Sequence, residues 1–394
     1  MLTPSMKRSG RWWPVPSSKS KPADSPIQNA RLSDVLHQSR AQRLIQQSLA
    51  SDRFPHAFIF HGPDGVGKET FARGVAKLLL CESPQVATDS ADSGSGAKDS
   101  CGSCRSCTLV DAGNHPDLHL VYRQLAAHHP DATVRGRKAL DLGVDVVRHF
   151  VIDAVGLRPT VGPVKVFIIR EADKITPAAQ NALLKTLEEP PETTILILVA
   201  SAADRLLATT RSRCQLIGFA SLPTEFVAQR LTELAEGVDS ERAGLLATLA
   251  QGSLGRALTY AQDGFAETFG EIASMLSGLD RMSAAKHSKR LVEMAKESAN
   301  HYKARDKNLS DSAARREALG DILGAMATWY GSHLHIASGR LQPLPGVRDG
   351  MEPEVAARSI DAISDAESRL SQNAHAPLCI DGLMFELASV AICG

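Results

Sequence analysis

The stretch HAFIFHGPDGVGKETFA, residues 56–72, decides how the rest of the chain is read. A short apolar run, HAFIFHGP, enters a loop with glycines at 62, 65 and 67. Phe71, Val75, Leu78 and Leu79 then repeat at i, i+4, i+7 and i+8, the spacing of an amphipathic helix. Strand, glycine loop and helix together are the setting a phosphate-binding P-loop requires. Gly62, Gly65 and Gly67 allow backbone N–H groups to converge on phosphate oxygens, and Lys68 adds a point charge. The pattern G-x-x-x-x-G-K-[ST] then needs a hydroxyl to ligate magnesium, and the chain has Glu69 there. Thr70 is one position too late to replace it. The loop reads either as a structural remnant or as a weak ATP/ADP site.

Working outward, VKVFIIR (164–170) and TILILVA (194–200) are further apolar runs without alternation, as in a parallel sheet covered on both faces. The segment PAAQNALLKTLEE lies between them and is stopped as a helix by Pro190 and Pro191. Alternating strands and helices imply an α/β, doubly wound sheet that binds ligands at its strand C-terminal ends. In a hydrolysing P-loop protein the second strand would end in an acidic metal ligand followed by a catalytic glutamate. Here Arg170 holds the first position and Glu171 the second. A guanidinium has no lone pair for a metal. Two metal positions are lost together, which argues against turnover.

Four cysteines form a second constellation: Cys81, Cys101, Cys104 and Cys107. A C-x₂-C-x₂-C triplet with a fourth cysteine after a helix suits a tetrahedral Cys₄ zinc site, which is favoured over an iron–sulfur cluster or redox thiols. Cys214, Cys379 and Cys393 lack such companions and read as packing cysteines. Arg213, in TTRSRCQ, is either a surface arginine or an arginine finger donated in trans to a neighbour's nucleotide. Arg256, in QGSLGRAL, stands early in a helix and faces either a nucleotide cleft or solvent.

Bulk properties limit the remaining possibilities. At 394 residues, the chain needs two or three domains. Its 43% hydrophobic and 22% charged content suits a soluble globular protein. With 44 basic and 44 acidic residues, no global field draws it to nucleic acid or membrane. No apolar run is long enough to span a bilayer, and residues 1–26 lack the apolar core of a secretory signal. Those residues carry five basic side chains against one acidic and are expected to form a disordered extension. Residues 82–100 are low-complexity and expected to loop out, and 126–138 read as a second polar loop. The expected layout is a basic extension (1–28), an α/β domain (29–220) with the zinc module at 81–107, a helical lid (221–275) and a helical domain (276–394).

HGPDGVGK, the cysteine module followed by GNHPD, then NALLKTLEEPP, LLATTRSRC and GSLGRAL occur in this order. In this the chain resembles bacterial clamp-loader subunits of the AAA+ class over about residues 30–265. The resemblance implies an AAA+ P-loop fold with an inserted Cys₄ zinc module, a helical lid and an all-α collar. It also implies a cytoplasmic replication assembly with gamma/tau and delta subunits in a five-membered ring, a sliding clamp and primer-template DNA, and no membrane. Glu69 and Arg170 place the chain with the family's degenerate branch, whose SRC arginine (Arg213 here) serves an adjacent motor subunit. The alternative is an ATP-hydrolysing gamma/tau-type subunit with unusual metal ligands. The N-terminal extension and the stretched cysteine loop depart from the family pattern.

Overall fold

The computed structural model describes residues 31–51, 54–86, 96–137, 139–337, 344, 351–372 and 374–392. The basic extension 1–28, the middle of the 82–100 stretch and Cys393 lie outside the described residues. The chain divides into two compact units between Ser221 and Leu222.

The first unit is built on a five-stranded sheet. Its members are β1 (Ala57–His61), β4 (Leu118–Val121), β5 (Lys165–Ile169), β6 (Thr194–Ala200) and β7 (Gln215–Gly218), in the order β4-β5-β6-β1-β7. Every pairing is parallel. The three central strands are the apolar runs of the sequence, and every residue of β5 and β6 is buried. The edge strands β4 and β7 were not legible as runs: LHLV and QLIG are four residues each, carry one polar residue apiece, and are only partly buried. Two small strands, β2 (Gln85–Val86) and β3 (Lys98–Asp99), pair antiparallel.

That ribbon corrects the expectation for 82–100, whose two ends are ordered. Asp99 accepts the backbone N–H groups of Leu32 (3.2 Å) and Ser33 (2.9 Å), while Gln46 bonds both the N–H and C=O of Lys98. The 126–138 stretch likewise contains short helices. Arg123–His128 forms a 3₁₀ turn, and Asp131 caps Ala132–Arg135 through the Thr133 N–H.

Helix α1 spans Ser39–Ala50 and α2 spans Lys68–Leu80. Phe71 and Val75 of α2 are buried, and Phe71 meets Phe60 and Phe219 edge-on. The Pro177–Glu188 helix starts with Pro177 at its first turn and a Thr176 cap, and buries Ala179, Leu183 and Leu187.

Among its described residues the second unit's regular elements are all helices, from Thr224–Leu234 to Ala376–Ile392. No helix there or elsewhere among the described residues is long and apolar enough to cross a membrane. A half-buried carboxylate ties three of its helices together: Asp321 accepts hydrogen bonds from the hydroxyls of Tyr260 and Tyr302.

Candidate functional site: a P-loop closed by ion pairs and a four-cysteine centre

The glycine loop follows β1 directly. Gly62, Gly65 and Gly67 have φ of 142°, 72° and 96°. A Cβ on Gly62 would lie 2.3 Å from the Phe219 carbonyl oxygen, so the loop's approach to the segment that follows β7 needs glycine. Gly67 is the left-handed N-cap of α2. Lys68 is buried and turned onto its own loop, donating to the carbonyls of Gly62 and Pro63 (2.6 Å each) and to Asp64 (3.2 Å). Burial holds its ammonium below the ordinary lysine range, against the pull of Asp64.

The positions that would bind metal are engaged with one another. Glu69 lies 2.8 Å from the Nε of Arg170, which stands immediately after β5. Arg73, one turn along α2, donates to the other Glu69 oxygen at 2.9 and 3.2 Å. Arg170 also sits over the Tyr122 ring, 6.0 Å from its centroid. Glu171, in the catalytic-glutamate position, receives Arg123 (2.9 Å) and Lys174 (2.7 Å). Burial alone would raise its pKa, but the hydrogen bonds from Arg123 and Lys174 outweigh that and hold it below the usual carboxylate range. Its φ of 48° is unusual for a residue with a side chain.

The four cysteines converge. Cys81 Sγ lies 3.6 Å from Cys101 and 3.9 Å from Cys104, Cys101 lies 4.0 Å from Cys107, and all four sulfurs fall within 4.8 Å of one another. Metal–sulfur bonds of about 2.3 Å in a tetrahedron put sulfurs about 3.8 Å apart, so the donor set fits one ion. Backbone N–H groups already point at the sulfurs: Cys101 to Cys81, Cys104 to Cys101, and Cys107 to Cys104, at 3.3–3.4 Å. N–H donors from Ser103 and Cys104 lower the Cys101 thiol to about 6, whereas burial raises Cys107. The helix α3 (Arg105–Asp111) leaves the centre, and Asp111 lies 2.7 Å from the buried Lys77 of α2. The module is therefore bolted to the P-loop helix.

Arg213 sits in the turn before β7. Its guanidinium donates to Glu188 and, at 2.9 Å, to the Thr209 carbonyl. The SRC and LEEPP motifs thus meet through one ion pair. Arg256 belongs to the second unit, exposed on the Leu254–Asp263 helix, which Ser253 caps. There its positive charge acts on Asp321, Tyr260 and Glu367. Cys214 is buried against the sheet core, and Cys379 is half-buried with its thiol on the Ala366 carbonyl.

Sequence reasoning missed several partners. Arg73 was legible, because an acid and a base four apart on a helix meet. Arg123 and Glu188 arrive from distant segments without any local signal. Asp117, in GNHPD, is fully buried and accepts the N–H groups of Thr160, Val161 and Gly162 at 2.6–2.8 Å, pinning the loop that leads into β5.

A parallel sheet in this order, with a glycine loop after its fourth-ranked strand and charged positions after β5, defines a P-loop NTPase fold of the AAA+ kind. Residues 37–223 match the family model described as "DNA polymerase III, delta subunit". That region is thus similar to the delta′ subunits of DNA polymerase III. The chain is 36% identical to DNA polymerase III subunit delta′ of Escherichia coli (strain K12) over 217 residues, 55% of this chain and 57% of that one. It is 32% identical to subunit delta′ of Bacillus subtilis (strain 168) over 239 residues, 60% of this chain and 64% of that one. The tau subunit of Bacillus subtilis matches at 31% over 233 residues, 58% of this chain and 37% of that one. The matches thus span less than two thirds of each of these relatives.

Proposed function

We propose that the chain is a non-hydrolysing stator of the DNA polymerase III clamp loader. It would help open the sliding clamp and load it on primer-template DNA in a cytoplasmic assembly with gamma/tau and delta subunits. The observation that carries this reading is the Glu69–Arg170 pair, which joins the two positions where a hydrolysing site holds its metal. Glu171 adds support, because Arg123 and Lys174 already engage the carboxylate that would prepare a water.

On this reading Arg213 acts outside its own chain, reaching the nucleotide of a neighbouring motor subunit. The degenerate loop of Gly62, Gly65, Gly67 and Lys68, with Arg256, is a vestigial ATP/ADP site. Cys81, Cys101, Cys104 and Cys107 hold one structural zinc, and four thiolates leave it no open position for chemistry. Residues 29–220 form the AAA+ domain, 221–275 the lid, and 276–394 the collar that joins the ring.

The test is ATP turnover in a loader reconstituted with this chain. The purified chain alone is expected to show background turnover, unchanged by Lys68→Ala. The assembled loader carrying Arg213→Ala is expected to form but to lose clamp- and DNA-stimulated turnover at one site. Turnover by the chain alone that disappears with Lys68→Ala would instead favour a gamma/tau-type ATPase with unusual metal ligands.

A further inference from the structure

The residues at the metal position of this P-loop do not fit a magnesium ion. A hydroxyl would normally stand at 69 and a carboxylate at 170, each donating oxygen to the metal shell. Instead a carboxylate stands at 69 and a guanidinium, which has no lone pair to give, at 170. The two substitutions are matched in charge, and the side chains meet at 2.8 Å. Arg73 completes the carboxylate's hydrogen bonding from its own helix at 2.9 Å.

The contact joins the first turn of α2 to the end of β5, the two elements a bound metal would bridge. The formal charge of Glu69, Arg170 and Arg73 together equals that of a hydroxyl, a carboxylate and a divalent ion. The Tyr122 face beside Arg170 further favours a cation at this spot.

We propose that Arg170 is a tethered substitute for the metal ion. Held by Glu69, it occupies the cation position of the loop and makes the site blind to magnesium. This inference rests on the stator reading and states why the loop is inert. The glycines and Lys68 persist, but the metal's place is taken. Both side chains are more than a quarter exposed, so the pair adds little to stability, and its signature is the response to metal.

The test titrates a fluorescent ATP analogue into the full chain, with magnesium or with EDTA. Any affinity of the wild-type chain is expected to be the same in both. The double variant Glu69→Thr/Arg170→Asp restores hydroxyl and carboxylate, and is expected to bind at least about tenfold more tightly with magnesium than with EDTA. Magnesium-tightened binding by the wild type, or a folded double variant without metal response, overturns the proposal.

Arg170→Ala guards against a double variant that does not fold, because Glu69 keeps Arg73 there. It is expected to gain manganese binding in the presence of ATP, read by electron paramagnetic resonance, and unchanged manganese binding overturns the proposal. Turnover by the wild-type chain would defeat the stator reading. A metal-blind double variant in a chain without turnover would defeat only this inference.

Discussion

Arg213 and Glu188 form an ion pair between the turn that precedes β7 and the last residue of the Pro177–Glu188 helix. The arginine proposed to serve a neighbour is thus held by its own chain. Arg213 is one third exposed and Glu188 about half, so the pair contributes no more than about 1 kcal/mol. Glu188→Gln is expected to leave thermal stability essentially unchanged. In a reconstituted loader it should keep the neighbour's stimulated turnover at or above the wild-type level. Arg213→Ala, by contrast, should lower it by about 10³-fold or more. A fall with Glu188→Gln would mean that the pair aims Arg213 rather than restrains it.

The cysteine centre gives a prediction about metal content. Elemental analysis is expected to find one zinc per chain, and Cys107→Ser should lose it. Without the metal, α3 loses its anchor, and the Lys77–Asp111 bridge to α2 loses the order of its partner segment. A loss of about 4 kcal/mol or more in urea unfolding is expected, the size typical of losing a structural metal. A metal-free chain of full stability would contradict this.

Two glycines of the same loop should respond unequally. Gly62→Ala places a Cβ 2.3 Å from the Phe219 oxygen at a φ of 142°, and neither backbone can give way cheaply. It is expected to destabilise by about 3 kcal/mol or more. Gly67→Ala meets only Val35 at 3.6 Å, so its cost is the left-handed φ alone, about 1 kcal/mol. Equilibrium unfolding of the two variants side by side checks the order.

Acid sensitivity should trace in part to Asp117. Burial would raise its pKa, but the N–H groups of Gly162, Thr160 and Val161 outweigh that and hold it below the ordinary value. A depressed folded-state pKa gives stability that is present above the unfolded value of about 3.9 and lost as pH falls through the folded one. Glu171 has the same sign. Asp117→Asn should therefore flatten the stability profile below about pH 4. At neutral pH it should destabilise by about 1–3 kcal/mol, because an amide offers one acceptor oxygen to three donors. Urea unfolding between about pH 3 and pH 7 separates the two effects.

The central strands and the P-loop were legible because burial on both faces leaves uninterrupted apolar runs, as in TILILVA, and because Gly62 and Gly67 meet backbone needs that other residues satisfy poorly. The cysteine centre was legible from spacing, since Cys101, Cys104 and Cys107 follow the geometry of one ion. Edge strands β4 and β7 were not, because each is only four residues long and is interrupted or flanked by a polar or small residue, His119 in one and Gln215 and Gly218 in the other. The loss of both metal ligands was visible residue by residue, but their union was not. Nothing local tells position 69 that position 170 lies 2.8 Å away. Glu171 with Arg123, and Arg213 with Glu188, are likewise products of topology.

The Lys77–Asp111 bridge has a consequence for how the first unit ages. If the proposed zinc were lost, its freed thiols would be open to oxidation, and such damage is ordinarily local. Here the cysteine module and the phosphate loop share α2 as a common beam, with Lys68 at its start and Lys77 near its end. Injury to the thiols would therefore be felt at a loop that contains none, making the cysteine centre the weak link through which oxidative wear reaches the rest of the unit.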